Sequence, residues 1–111
     1  MTSRKKINER LHGIGTVYQG ENSIAKARYN LTVIQDVLIY QTLGGTRQMD
    51  GLTSAEGSLS IIEGDGRLMH TRDPLVLELE DRRRMEFLVT KPNLVTNAYQ
   101  IVRTGGWLEP Q

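Results

Sequence analysis

Ala25–Val33 reads AKARYNLTV, and its alternation decides the fold class. Ala27, Tyr29, Leu31 and Val33 fall on one face, and Lys26, Arg28, Asn30 and Thr32 on the other. This is the period-two pattern of a strand with one wet face. Upstream, Ile14–Tyr18 reads as another strand, joined to the first through the turn Gln19-Gly20-Glu21-Asn22. Downstream the pattern resumes over Val37–Thr42, VLIYQT. Gln35-Asp36 lacks the Gly or Asn that a two-residue hairpin wants, so the stretch reads as one long strand with a bend or bulge. Gly44–Gly51, GGTRQMDG, is expected to be a glycine-flanked loop long enough to move and to carry function.

The second half reads as two hairpins. Leu59–Glu63 runs into Gly64-Asp65-Gly66, and Asp-Gly is a strong hairpin signal. With Asp65-Gly66 as the loop, Ile62 faces Met69 and Ile61 faces His70. Leu75–Glu80 and Arg84–Thr90 then flank Asp81-Arg82-Arg83. A three-residue loop there sets Leu79 against Met85, Leu77 against Phe87 and Glu80 against Arg84, which keeps apolar residues on one face. It also asks Arg83 for a left-handed conformation. Lys91-Pro92-Asn93 reads as a break before a last strand over about Asn97–Arg103, and Gly105-Gly106-Trp107 follows.

The chain has 111 residues, with 14 basic and 13 acidic side chains and no cysteine. That length suits one domain, taken as 1–111, and the absence of cysteine excludes thiol chemistry and disulfide support. Residues 1–12 form a polar, basic segment in which Ser3–Leu11 fits a short helix or a strand equally. This segment has no apolar signal-peptide core, and no apolar run approaches the roughly 20 residues that span a bilayer. A cytoplasmic location without membrane association is expected. The near-neutral charge gives no footprint for nucleic acid.

Six or seven strands joined by short turns, with no βαβ alternation, indicate an all-β antiparallel meander barrel. Exposed sheet edges invite aggregation, so closure, or edge pairing in a dimer, is expected.

His12 and His70 lie far apart and lack metal-site spacing. His70 shares a strand face with Arg72, and Asp73 is near enough to pair with either, which makes His70 the candidate acid-base group and Arg72 a candidate anion ligand. The hairpin register opposes Glu78 and Glu86, a carboxylate pair that either binds a cation or is solvated beside Arg84. Arg82, Arg83 and Arg84, with Arg4 and Arg10, are candidate ligands for a small anion such as a nucleotide. Tyr18, Tyr29, Tyr40 and Tyr99 read as strand residues packing into the core with their hydroxyls near a rim. Val76 and Leu88 face each other on the outer side of the hairpin and hint at a subunit contact.

Arg4 and Arg10 ahead of the barrel, with Ser54-Ala55-Glu56-Gly57, resemble part of the PilZ pattern. PilZ domains are small barrels that bind a cyclic dinucleotide through an N-terminal arginine pair and a later Asp/Asn-x-Ser-x-x-Gly. The likeness departs at Leu52, where an acidic or amide residue should stand, and at the arginines, which have five residues between them rather than three. It implies at most a PilZ-like use of the scaffold.

The reading is a non-enzymatic binding or self-assembly module without a cofactor. Its partner is a second copy meeting it through a sheet face or edge, or another protein. The alternatives are a barrel binding a small anion at one rim, and an acid-base enzyme with His70 in the barrel mouth.

Overall fold

The computed structural model describes residues 2–64, 74–93 and 98–108. Their strands are β1 (Thr2–Gln19), β2 (Asn22–Thr42), β3 (Gly45–Gly64), β4 (Leu75–Glu78), β5 (Arg84–Asn93) and β6 (Ala98–Leu108). All neighbours are antiparallel, in the ring order β1-β2-β3-β6-β5-β4. Thr16–Gln19 of β1 closes it by pairing with Leu75–Glu78 of β4. The all-β expectation holds. Among the described residues there is no helix, and so none long and apolar enough to cross a membrane.

The order differs from a simple meander at one step. The chain forms two three-stranded ribbons, β1-β2-β3 and β4-β5-β6, and β3 lies against β6 rather than β4. The connection between ribbons runs through residues 65–73. The expected Asp65-Gly66 turn, with its pairs Ile62–Met69 and Ile61–His70, lies outside the described residues.

The interior follows the alternation of β2. Ala25, Ala27, Tyr29, Leu31 and Val33 are buried, and the first four pack in one cluster with Val17, Leu59, Leu77, Met85, Phe87, Tyr99 and Ile101 from the other strands. Each fully buried large side chain contributes about 1.5–3 kcal/mol through removal of apolar surface from water. Tyr29 pairs across the ladder with Gly13. A Cβ on Gly13 would fall 2.8 Å from the Tyr29 hydroxyl oxygen, so a large residue on β2 requires the missing side chain on β1.

The β4–β5 hairpin keeps the expected faces but moves its loop one residue earlier. Leu77 opposes Met85 and Leu75 opposes Phe87. The Arg82 N–H donates to the Leu79 carbonyl at 3.0 Å, and the Leu79 N–H donates to the Arg83 carbonyl at 2.8 Å. The loop is therefore Glu80-Asp81-Arg82, with Arg82 rather than Arg83 in the left-handed region at φ 72°. Asp81 favours this placement by accepting from the backbone N–H of Arg83 at 3.0 Å, a local turn-forming bond. The shift has two consequences. Glu78 opposes Arg84, which dissolves the expected Glu78–Glu86 carboxylate pair, and Val76 opposes Glu86 rather than Leu88. Leu88 instead opposes Val102 on β6.

Three other expectations change. Gly44–Gly51 is not a loop: Thr42 pairs with Gly45 across a two-residue turn, and β3 begins there. Lys91-Pro92-Asn93 continues β5 and pairs with Ala98–Gln100 instead of breaking the chain. Ser3–Leu11 is strand, paired with Leu31–Leu38 of β2. Gln35-Asp36 lies within a continuous β2, as expected, but the bulge beside it falls on β3, where Gly51-Leu52 stand opposite Asp36 alone between the pairs Gln35–Thr53 and Val37–Asp50. The Gln35 amide nitrogen, buried, donates to the Gly51 carbonyl at 2.7 Å and the Asp36 carbonyl at 3.2 Å, which stitches the bulge.

β1, β2 and β3 outlast their other neighbours. β4 covers β1 only over Thr16–Gln19, and β6 covers β3 only over Glu56–Ser60. The remainder projects from the barrel as a three-stranded arm. The molecule measures 57 × 31 × 25 Å, with a radius of gyration of 16.5 Å. A compact chain of this length would have a radius of gyration of about 13 Å.

Candidate functional site

The three arginines of the hairpin tip diverge. Arg82 is exposed in the loop. Arg83 turns back over the barrel end: its Nη1 lies 2.6 Å from Glu9 Oε1 and its Nη2 lies 2.7 Å from Asp81 Oδ2. Its guanidinium stands 4.8 Å from the centre of the Trp107 ring. The hydrogen bonds that Arg83 donates to Asp81 and then to Glu9 raise its pKa above the ordinary value, and accepting from Arg83 lowers that of Asp81. Arg84 is buried, with Nε 3.5 Å from Glu78 Oε2 and its guanidinium 5.1 Å from the Tyr18 ring. Two of the three cations are thus occupied within the fold.

The tip also seals the barrel beyond the backbone ladder. Glu80 Oε1 accepts from the Ile14 N–H at 2.9 Å, and the Glu80 N–H donates to the Tyr29 hydroxyl at 3.1 Å. Glu80 and Arg83 together hold β1 where its pairing with β4 has ended.

Arg4 and Arg10 are exposed on the arm, opposite Val37 and Thr32 of β2. Glu9, next to Arg10 in the chain, faces the other side of β1 and takes Arg83. The described candidates therefore form no single anion cradle. Of the PilZ-like residues, Ala55 is buried, and Ser54, Ala55, Glu56 and Gly57 all lie within β3 rather than in a loop. His70, Arg72 and Asp73 lie outside the described residues. His12 is exposed opposite Asn30, and no cluster suited to a metal occurs among the described residues. Tyr29 and Tyr99 are buried in the core, and Tyr18 and Tyr40 are half-buried.

A groove of about 630 Å³ crosses the outer face, lined by Asn30, Thr32, Glu56, Ser58, Thr90 and Gln100 over the backbone of Gly57. Among the described residues it offers hydrogen-bonding groups and one carboxylate, with no aromatic face on which a ligand could stack.

The arginine that composition and motif passed over is Arg103. It follows Tyr99 and Ile101 on the inward side of β6 and is only 6% exposed. Its Nη2 donates to the carbonyl and the hydroxyl oxygen of Thr53, each at 3.0 Å. Nε and Nη1 are buried without a hydrogen-bond partner. The guanidinium lies 5.0 Å from the centre of the Trp107 ring. Burial lowers the Arg103 pKa from the ordinary guanidinium value. The signal for it was the alternation Tyr99, Ile101, Arg103, which places a cation on a core face.

The arm supplies a second feature. Among the described residues, β1 before Thr16 and β3 before Glu56 each have one ladder partner, β2, and leave the opposite edge open. Ile7, Met49 and Leu52 are exposed along these strands, and Leu43 is exposed at the tip. Ile7 lies opposite Ile34, and Met49 opposite Leu38, so two apolar pairs share one face of the arm with Lys5 and Asp36 between them. Compared with protein-family models, with curated proteins and with solved structures, the chain matches none.

Proposed function

We propose that this chain is a self-assembling structural module. The open β1 edge of one arm adds to the open β3 edge of the next copy. The observation that carries this reading is the arm, a three-stranded sheet with both outer edges unpaired among the described residues. Open edges are templates for strand addition, and natural proteins leave them so where they are used or guard them with charge.

Charge selects which edges meet. Residues 2–12 carry the cations Arg4, Lys5, Lys6 and Arg10 against one carboxylate, Glu9. Two β1 edges brought together would oppose like charges, which destabilises a strand pair. The open stretch of β3, residues 45–55, carries one carboxylate, Asp50, against one cation, Arg47, and so adds no excess of positive charge. A β1 edge therefore suits a β3 edge. Such contacts are head-to-tail, so they build a ring if the rotation closes and a filament if it does not. Continuity of the sheet across copies would set new neighbours beside the apolar pairs Ile7–Ile34 and Leu38–Met49 and add buried area to the backbone bonds.

Light scattering behind size exclusion tests this. The wild type is expected to run above the monomer mass of 12.5 kDa, rising with concentration. Met49→Lys with Leu52→Lys adds two cations at exposed positions of β3 and is expected to yield the monomer with the thermal midpoint of the barrel retained. A wild type that stays monomeric at its highest soluble concentration overturns the proposal.

A further inference from the structure

We propose that the arm end of the barrel holds a small oxyanion, a single phosphate or carboxylate group, on the guanidinium of Arg103 beneath Trp107. This inference is independent of the assembly reading.

An enclosed cation is costly unless paired, and the chain shows how it meets that cost elsewhere. Arg83 has Glu9 and Asp81, and Arg84 has Glu78. Arg103, the most enclosed of the three, pairs with no carboxylate among the described residues and keeps two buried nitrogens without acceptors. Glu9 and Asp81 are already committed to Arg83. Lys6 adds to the imbalance: it opposes Gln35, and Gln35 opposes Thr53, the residue that holds Arg103. Lys6 and Thr53 thus share a face two strand spacings apart, about 10 Å. An oxyanion supplies what the site lacks, a negative charge with oxygen acceptors for guanidinium N–H groups.

Access follows from the backbone of β6. Phe87 opposes Arg103 and Met85 opposes Trp107, so one residue of β5 faces the three residues Thr104, Gly105 and Gly106. Gly105 sits at φ +81°, and a Cβ on Gly105 or Gly106 would meet nothing within 4 Å. Trp107 therefore covers Arg103 from the far side of an uncrowded glycine bulge, a hinge that can lift the ring and admit a small ion.

Trp107 is the sole tryptophan, so emission comes from the one ring that Arg103 and Arg83 share, and the Arg103 variants assign the response. The test titrates the wild type with sodium phosphate, sodium acetate and sodium chloride at matched ionic strength, following fluorescence and thermal midpoint. Phosphate or acetate is expected to give a saturable emission change and a higher midpoint that chloride does not. A response to phosphate alone assigns a phosphate group, and a response to both admits a carboxylate. Arg103→Met should abolish the response, and Arg28→Met, on the outer face of β2, should retain it. Arg103→Lys, which keeps the charge but loses the guanidinium, should weaken binding at least tenfold and serves if the methionine variant does not fold. The Met49→Lys, Leu52→Lys variant should respond as the wild type does. No saturable response to either oxyanion, or one unchanged in the Arg103 variants, overturns the proposal.

Discussion

Arg83 Nη1 lies 2.6 Å from Glu9 Oε1, joining two side chains 74 residues apart where the β1–β4 ladder has already ended. This pair, with the Glu80 bond to Ile14, carries barrel closure past its last backbone rung. Both side chains are partly exposed, so solvent screens the pair. A double-mutant cycle with Glu9→Gln and Arg83→Met should give a coupling of about 0.5–1 kcal/mol. Additive effects within error would remove the pair from the closure account.

The same arginine sets an acid limb to stability. Its hydrogen bond lowers the Asp81 pKa from the ordinary value of 3.8, so the folded state holds the proton less tightly than the unfolded chain. The stabilisation is complete above that ordinary value and is lost as pH falls through the lower folded one. Asp81→Asn should flatten this part of a stability–pH curve and leave its neutral limb parallel to the wild type. An unchanged acid limb contradicts the assignment.

Arg82 occupies the left-handed region at φ 72° without the freedom of glycine. Arg82→Gly relieves that strain at the third loop position and should stabilise by about 1 kcal/mol, net of the entropy glycine adds to the unfolded chain. Denaturant unfolding measures it, and a loss of stability would show that the Arg82 side chain contributes more than its backbone costs.

Gly57 is pressed against the backbone of β2, where an added Cβ would collide with the Asn30 carbonyl. Gly57→Ala should cost about 3 kcal/mol or more, because the obstacle is a paired strand rather than a side chain that can turn away. Gly44→Ala at the arm tip, where the nearest atom is the end of the Arg47 side chain at 3.5 Å, should cost well under 1 kcal/mol.

Alternation carried the barrel, because a wall with one dry face imposes period two on Ala27, Tyr29, Leu31 and Val33. The arm escaped notice for the complementary reason. Thr46 to Met49 are exposed whichever face they occupy, so their hydrophobicity has no period, and Gly44-Gly45 looked like the rim of a loop. The β4–β5 faces were legible because a two-residue register shift preserves parity. The loop position was not, because it is set by a single Asp81 bond to the Arg83 N–H. The arginine run 82–84 drew attention through its local density of charge, whereas neighbours distant in sequence decide each cation's role. Arg103 lay in plain alternation with Tyr99 and Ile101, where a charge on a core face was itself the signal.

The chain has no cysteine, so engineered pairs report on assembly without background. Lys5→Cys and Arg47→Cys, made in separate proteins, place one thiol on each open edge and on the same face of the arm, since they oppose Asp36 and Tyr40 of β2. Mixed and treated with a short bismaleimide, they should join to each other in high yield, and each protein alone should join poorly to itself. Self-joining of either protein, or no joining of the mixture, would contradict pairing of β1 with β3 between copies.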